Sequence, residues 1–171
     1  MKKTATVLVV LLSAAAPALA AWEKVDGGVT AKPIETNSTI EALHVHCLDG
    51  PAIDLYSHKM GPVLPLDGGA EADYFYKPGM ISADVDGQKF PLVAAGSDEA
   101  VVLFSEGDEA KGYLAPVDRT LFAAMASGKM LTLSFDISPA QGADGSAHET
   151  FARFELAGAG TLIGEAVKAC G

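Results

Sequence analysis

The stretch that decides the fold is FARFELAGAGTLIGEAVKAC, residues 151–170. Its first six residues alternate. Phe154 and Leu156 point to one side and Arg153 and Glu155 to the other, which is the pattern of a half-buried strand. After Gly158 and Gly160 the period changes. Leu162, Ile163, Ala166, Val167 and Cys170 follow helical spacing, with Thr161 as the expected N-cap. The only other cysteine, Cys47, ends a second alternating run far upstream. A bridge between Cys47 and Cys170 would tie a closing helix to an early strand. It would close a loop of about 120 residues and restrict the unfolded chain by about 5 kcal/mol in the chain-entropy picture. The plainer alternative is two separately buried thiols.

Working outward, the rest of the chain repeats the strand-and-turn grammar. Trp22–Thr30 reads as a first strand and Lys32–Thr39 as a loop. Ile40–Cys47 alternates, with Leu43, Val45 and Cys47 on one face and His44 and His46 on the other. After a turn over residues 48–52, Ile53–His58 returns. Matching apolar faces pairs Cys47 with Ile53 and Val45 with Leu55, placing His46 opposite Asp54 and His44 opposite Tyr56. Residues 61–79 form a long Pro/Gly-rich stretch that ends in Tyr74-Phe75-Tyr76. Met80–Ala94 is the clearest hairpin: Asp86-Gly87 demands a type I′ turn, which sets Ala83 against Phe90, Ile81 against Leu92 and Asp84 against Lys89. Val101–Ser105 is a strand, Glu106–Glu109 an acidic turn and Tyr113–Ala115 a candidate strand. Asp118 caps a helix over Arg119–Ser127 that buries Leu121, Phe122 and Met125 and stops at Gly128. Met130–Ile137 and Thr150–Leu156 are two more alternating strands. About eight short strands with one polar face each, and two short helices, predict one mainly β domain: an antiparallel β-sandwich spanning residues 21–171.

Compartment follows from the N-terminus. A basic start (Lys2, Lys3), an apolar run to Ala16 and the small-residue exit Pro17–Ala20 read as a secretory signal peptide over residues 1–20. An uncleaved anchor is the alternative, but the run is short for a span. A bacterial periplasmic or secreted protein is expected, with no transmembrane segment once the signal is cleaved. The net charge is −10 over 171 residues, and loss of Lys2 and Lys3 makes it more negative by two. So acidic a surface repels phosphate backbones, which argues against nucleic acid and leaves a basic partner or a cation as the better match.

Candidate chemistry is sparse. His44 and His46 lie two apart on one strand and so share a face, and Asp54 and His58 belong to the neighbouring strand. Two imidazoles and a carboxylate suit zinc or copper. The plainer reading, a solvated sheet face with a weak His46–Asp54 pair, is preferred at this point. Tyr74, Phe75 and Tyr76 are a candidate partner-binding patch, since three consecutive rings cannot all face one core; the alternative is an edge strand with two rings buried. No nucleophile elbow, Cys-x-x-Cys pair or phosphate-cradling glycine loop occurs. No enzymatic activity and no cofactor are expected.

From residue 80 to 170 the order is a hairpin turned at Val85–Gln88, a short helix over Leu121–Gly128, a strand over Leu131–Phe135, then Phe154-x-Leu156-x-Gly158 and a helix containing Ala166. This order resembles the exported invasion-associated locus B family and is similar to accessory periplasmic proteins of type VI secretion that end in a helix and a cysteine. The first half, with its proline-rich stretch and His-x-His strand, departs from that pattern. The resemblance implies a secreted β-sandwich without enzymatic chemistry and carries over no functional residue. The leading expectation is therefore a non-enzymatic accessory protein that binds an envelope or secreted partner. The alternative is a small-ligand or metal-binding periplasmic protein using the outward histidines.

Overall fold

The computed structural model describes residues 22–47, 50–57, 62, 74–97, 100–142, 145–168 and 170–171. The expected signal peptide, His58 and most of the 61–79 stretch lie outside these residues. The described chain is mainly β and antiparallel. Its strands are β1 (Glu23–Val25), β2 (Gly28–Ala31), β3 (Glu35–Thr36), β4 (Ile40–Cys47), β5 (Pro51–Ser57), β6 (Ile81–Val85), β7 (Gln88–Ser97), β8 (Ala100–Phe104), β9 (Glu106–Asp108), β10 (Tyr113–Ala115), β11 (Met130–Phe135) and β12 (Thr150–Glu155). Two helices, α1 (Arg119–Ser127) and α2 (Gly160–Lys168), flank the last hairpin.

Ten strands form one sheet in the order β1-β2-β4-β5-β8-β7-β6-β11-β12-β3, and β9 and β10 form a separate ribbon. The long strand β7 belongs to two halves. Its first part, Gln88–Leu92, pairs with β6, and its second part, Val93–Ser97, pairs with β8. The inward residues of both halves meet in one core: Leu43, Val45, Ile53 and Leu55 from one side, Leu131, Leu133, Phe135 and Phe154 from the other. Such side chains contribute about 1.5–3 kcal/mol each on burial. The edges also approach, since the Trp22 indole N–H donates to the Glu155 carbonyl at 2.7 Å. The arrangement is sandwich-like, folded over at β7.

The β6–β7 hairpin has the expected register, Ala83 against Phe90, Ile81 against Leu92 and Asp84 against Lys89. Asp86 and Gly87 both take positive φ (51° and 93°), as a type I′ turn requires. The Asp86 carboxylate also accepts from the backbone N–H groups of Lys129 (2.8 Å) and Met130 (3.1 Å), which fastens the turn to the start of β11. Asp118 caps α1 through the Thr120 N–H at 2.7 Å, and Leu121, Phe122 and Met125 are buried. Gly128 ends α1 in extended backbone. A side chain there would meet Val85 Cγ1 at 2.6 Å, so close packing dictates the glycine.

The structure departs from the sequence reading in the irregular stretches. Trp22–Thr30 is two strands turned at Gly27, whose φ is +78°. Lys32–Thr39 contains β3, which adds to β12 and carries an Arg153–Glu35 ion pair at 2.6 Å. Glu106–Asp108 pairs with β10 instead of turning. Tyr74–Tyr76 is a single 3₁₀ turn. Thr161 lies inside α2, whose first turn closes from Ala159 through the Ile163 N–H at 2.9 Å. Gly160 lets α2 approach α1: a Cβ there would stand 2.2 Å from the Ala126 carbonyl oxygen. α2 also packs against β2 and β4. The Cys47–Cys170 disulfide locks it to the end of β4 across 123 residues, with the two Cα atoms 5.4 Å apart.

Candidate metal centre

The site begins with the register of β4 and β5. Pro51 opens β5 directly opposite Cys47, so the connection is tighter than turn chemistry over residues 48–52 implies. The whole pairing is therefore displaced from the expected one. Val45 faces Ile53, Leu43 faces Leu55, and on the outer face His44 faces Asp54 while His46 faces Ala52. The displacement is by an even number of residues, so the apolar face stays inward and only the cross-strand partners change. His46 reaches Asp54 diagonally.

The result is a compact trio. The His44 and His46 rings stack, with centroids 4.6 Å apart and planes within 7°. His46 Nε2 stands 3.0 Å from Asp54 Oδ2. One donor atom from each of the three residues lies within 4.8 Å of the other two. Imidazole and carboxylate ligands bind zinc at about 2.0–2.2 Å. Small side-chain rotations would bring the three donors onto one ion.

Burial sets this trio apart from a solvated face. His46 is 8 % exposed and Asp54 9 %, and His44 is half-buried. The expectation of a water-exposed pair is thereby corrected. His44 Nε2, His46 Nε2 and Asp54 Oδ1 are shielded from solvent and have no well-directed hydrogen bond among the described residues. The 3.0 Å His46–Asp54 approach is an ion-pair distance, but its angles do not make a good hydrogen bond. Buried polar atoms left in this condition cost about 1–3 kcal/mol each. Burial, and then the neighbouring His46, hold the His44 imidazole below its ordinary pKa against the opposing pull of Asp54. Above that lowered value His44 is neutral, which is the form that ligates a metal.

Gly28, which sequence reasoning passed over, is part of the site. It lies opposite His46 on β2, and a Cβ there would meet the Val45 carbonyl at 2.3 Å and His44 Nε2 at 2.7 Å. The signal was present, since a glycine inside a strand marks a close approach. Tyr56, expected opposite His44, instead faces Ala42, with its ring 6.4 Å from the His44 ring. Cys47 is adjacent to His46 in sequence but is held in the disulfide. Among the described residues no helix is long and apolar enough to cross a membrane.

The aromatic patch is arranged differently. Phe75 is 4 % exposed and belongs to the core, with the Tyr76 ring against it at 4.2 Å. Tyr76 also packs on the core, and Lys77 sits over the Tyr74 ring at 4.2 Å. No protein-family model, curated protein or solved structure matches the chain.

Proposed function

We propose that this is an exported, non-enzymatic metal-binding protein that holds a divalent transition ion, zinc or copper, between His44, His46 and Asp54. One observation carries the reading: three donor groups converge on one sheet face, and His44 Nε2, His46 Nε2 and Asp54 Oδ1 are buried without a hydrogen bond among the described residues, the close His46–Asp54 approach aside. A bound ion would occupy those lone pairs and remove the cost of leaving them bare. Imidazole with carboxylate is a donor set suited to zinc and copper. The disulfide supports an oxidising compartment, in keeping with the leader-like first twenty residues. Capture of a protein partner through Tyr74, Phe75 and Tyr76 has less support, because Phe75 is committed to the core and Tyr76 packs on it.

Isothermal titration of the oxidised protein with zinc and with copper tests the proposal. The expected result is one ion per chain with submicromolar affinity, lost in a His44→Ala/His46→Ala variant that still melts cooperatively. Absence of binding, or equal binding by the double variant, would overturn it and leave the trio a structural His–Asp pair.

A further inference from the structure

The metal site has an apolar neighbour on the same face. In β5 and β8, Ala52, Asp54, Val102 and Phe104 share the outward parity, because Asp54 lies directly opposite Val102. His46 lies directly opposite Ala52. Cross-strand neighbours of this kind have Cβ atoms about 4.5–5.5 Å apart. Ala52 and Val102 therefore adjoin His46 and Asp54, and both also line a cavity of about 170 Å³ together with Gly50, Pro51, Phe104 and Pro116. Among the described residues no charged side chain lines it.

Charge and coordination limit what this combination can hold. Three protein ligands leave a four-coordinate ion one open position. A divalent ion with two neutral imidazoles and one carboxylate retains a single positive charge. A buried site disfavours that residual charge, and a monoanionic fourth ligand cancels it. The ligand's remaining atoms would then lie over Ala52 and Val102, where only an apolar group is matched.

Resting on the metal reading above, we infer that the loaded centre binds, through its one open position, a small monoanionic ligand whose apolar, ring-sized group fills the cavity between Ala52, Val102, Phe104 and Pro116. The protein is then a receptor for a metal–ligand complex and not for the bare ion alone. The monoanion completes the coordination, and the cavity selects among monoanions by their tails.

The test uses the oxidised full domain loaded with zinc and two probes with the same singly charged carboxylate head, benzoate and acetate. The zinc-loaded protein should bind benzoate at least tenfold more tightly than acetate, and the metal-free protein should bind neither. Filling the cavity from β5 with Ala52→Leu, and separately from β8 with Val102→Phe, should abolish the preference while each variant still takes up one zinc. A variant that fails to load zinc is set aside in favour of the other, and agreement of one loaded variant suffices. Equal binding of both probes by zinc-loaded wild type, or a preference that survives cavity filling, would overturn the inference and leave the metal site standing. Failure of the wild type to bind zinc would remove both.

Discussion

The two halves of the sheet share the same inner chemistry and differ on their outer faces. In the half built from β6, β11 and β12, the outward residues include Ser82, Asp84, Thr132, Ser134 and Arg153, all partly open to solvent. In the half built from β4, β5, β8 and the end of β7, the outward residues include His46, Asp54, Val93 and Ala95, and these four are buried. Alternation alone treats the two halves as equivalent. The difference teaches that a strand's polar side is a surface only where nothing packs on it. Where ionisable groups are buried on that side with lone pairs that no described residue hydrogen-bonds, the fold carries a cost that its own stability does not require.

The largest effects should come from what the halves have in common. Leu55→Ala in one half and Leu133→Ala in the other both empty fully buried positions. Each should cost about 2–5 kcal/mol in urea unfolding, because the cavity left in a close-packed core collapses only partly. A half that tolerates its truncation at near-zero cost would break the claim of a single shared core. Next in size is the bridge. Cys170→Ser should lower stability by about 2–4 kcal/mol. The loss arises because α2 is then held by its own packing, with Ile163 its buried anchor and Leu162, Ala166 and Val167 partly buried against the core. Equal melting of oxidised wild type and variant would show that helix packing suffices.

The outer faces sharpen the contrast. Replacing the trio together by His44→Val, His46→Val and Asp54→Val should leave the metal-free protein as stable or about 1 kcal/mol more stable, since buried ionisable groups are removed as a set. In the other half, Arg153→Ala removes an exposed ion pair with Glu35 and a guanidinium contact over the Phe151 ring, and should change stability by about 1 kcal/mol or less. Strong destabilisation of the metal-free triple variant would mean the trio is there to hold the fold.

A smaller effect is a pH dependence on the histidine side. The folded protein holds His44 below its ordinary pKa of 6.5, mainly through burial. Below about 6.5 the unfolded chain takes up the proton and the folded one does not until lower pH, so stability is present above that value and falls as the solution is acidified. Denaturant melts of metal-free protein at stepped pH should show this loss, and His44→Gln should remove its part of it. The opposite sign holds at Asp136, at the end of β11, where burial and then Glu149 raise the carboxyl pKa. There the ionised form is the costly one, so Asp136→Asn should leave stability unchanged or slightly raised near neutral pH, read from the same melts.

Much of this architecture was legible from local residues. Asp86-Gly87, Asp118 and the alternations over Ile40–Cys47 and Met130–Ile137 each carry their own backbone instruction, and β6–β7, α1, β4 and β11 follow. The disulfide was legible because there are two cysteines in a chain with a leader-like start. The β4–β5 register was not, since matching apolar faces leaves even-numbered shifts equivalent and the tight Cys47–Pro51 closure decides between them. The candidate site was legible in its members, His44, His46 and Asp54, and illegible in what matters most about them. Burial of an outward face is set by whatever packs over it, and neither alternation nor composition encodes that.

The central claim is that these three residues form a metal centre, and the ion's own coordination reports on it most directly. X-ray absorption at the zinc edge of protein loaded with one equivalent should show nitrogen and oxygen ligands only. The outer-shell scattering should fit two imidazoles in the wild type, one in His44→Ala or His46→Ala, and none in the double variant. Zinc with no imidazole scattering in the wild type, or a spectrum unchanged by the histidine substitutions, would contradict the account.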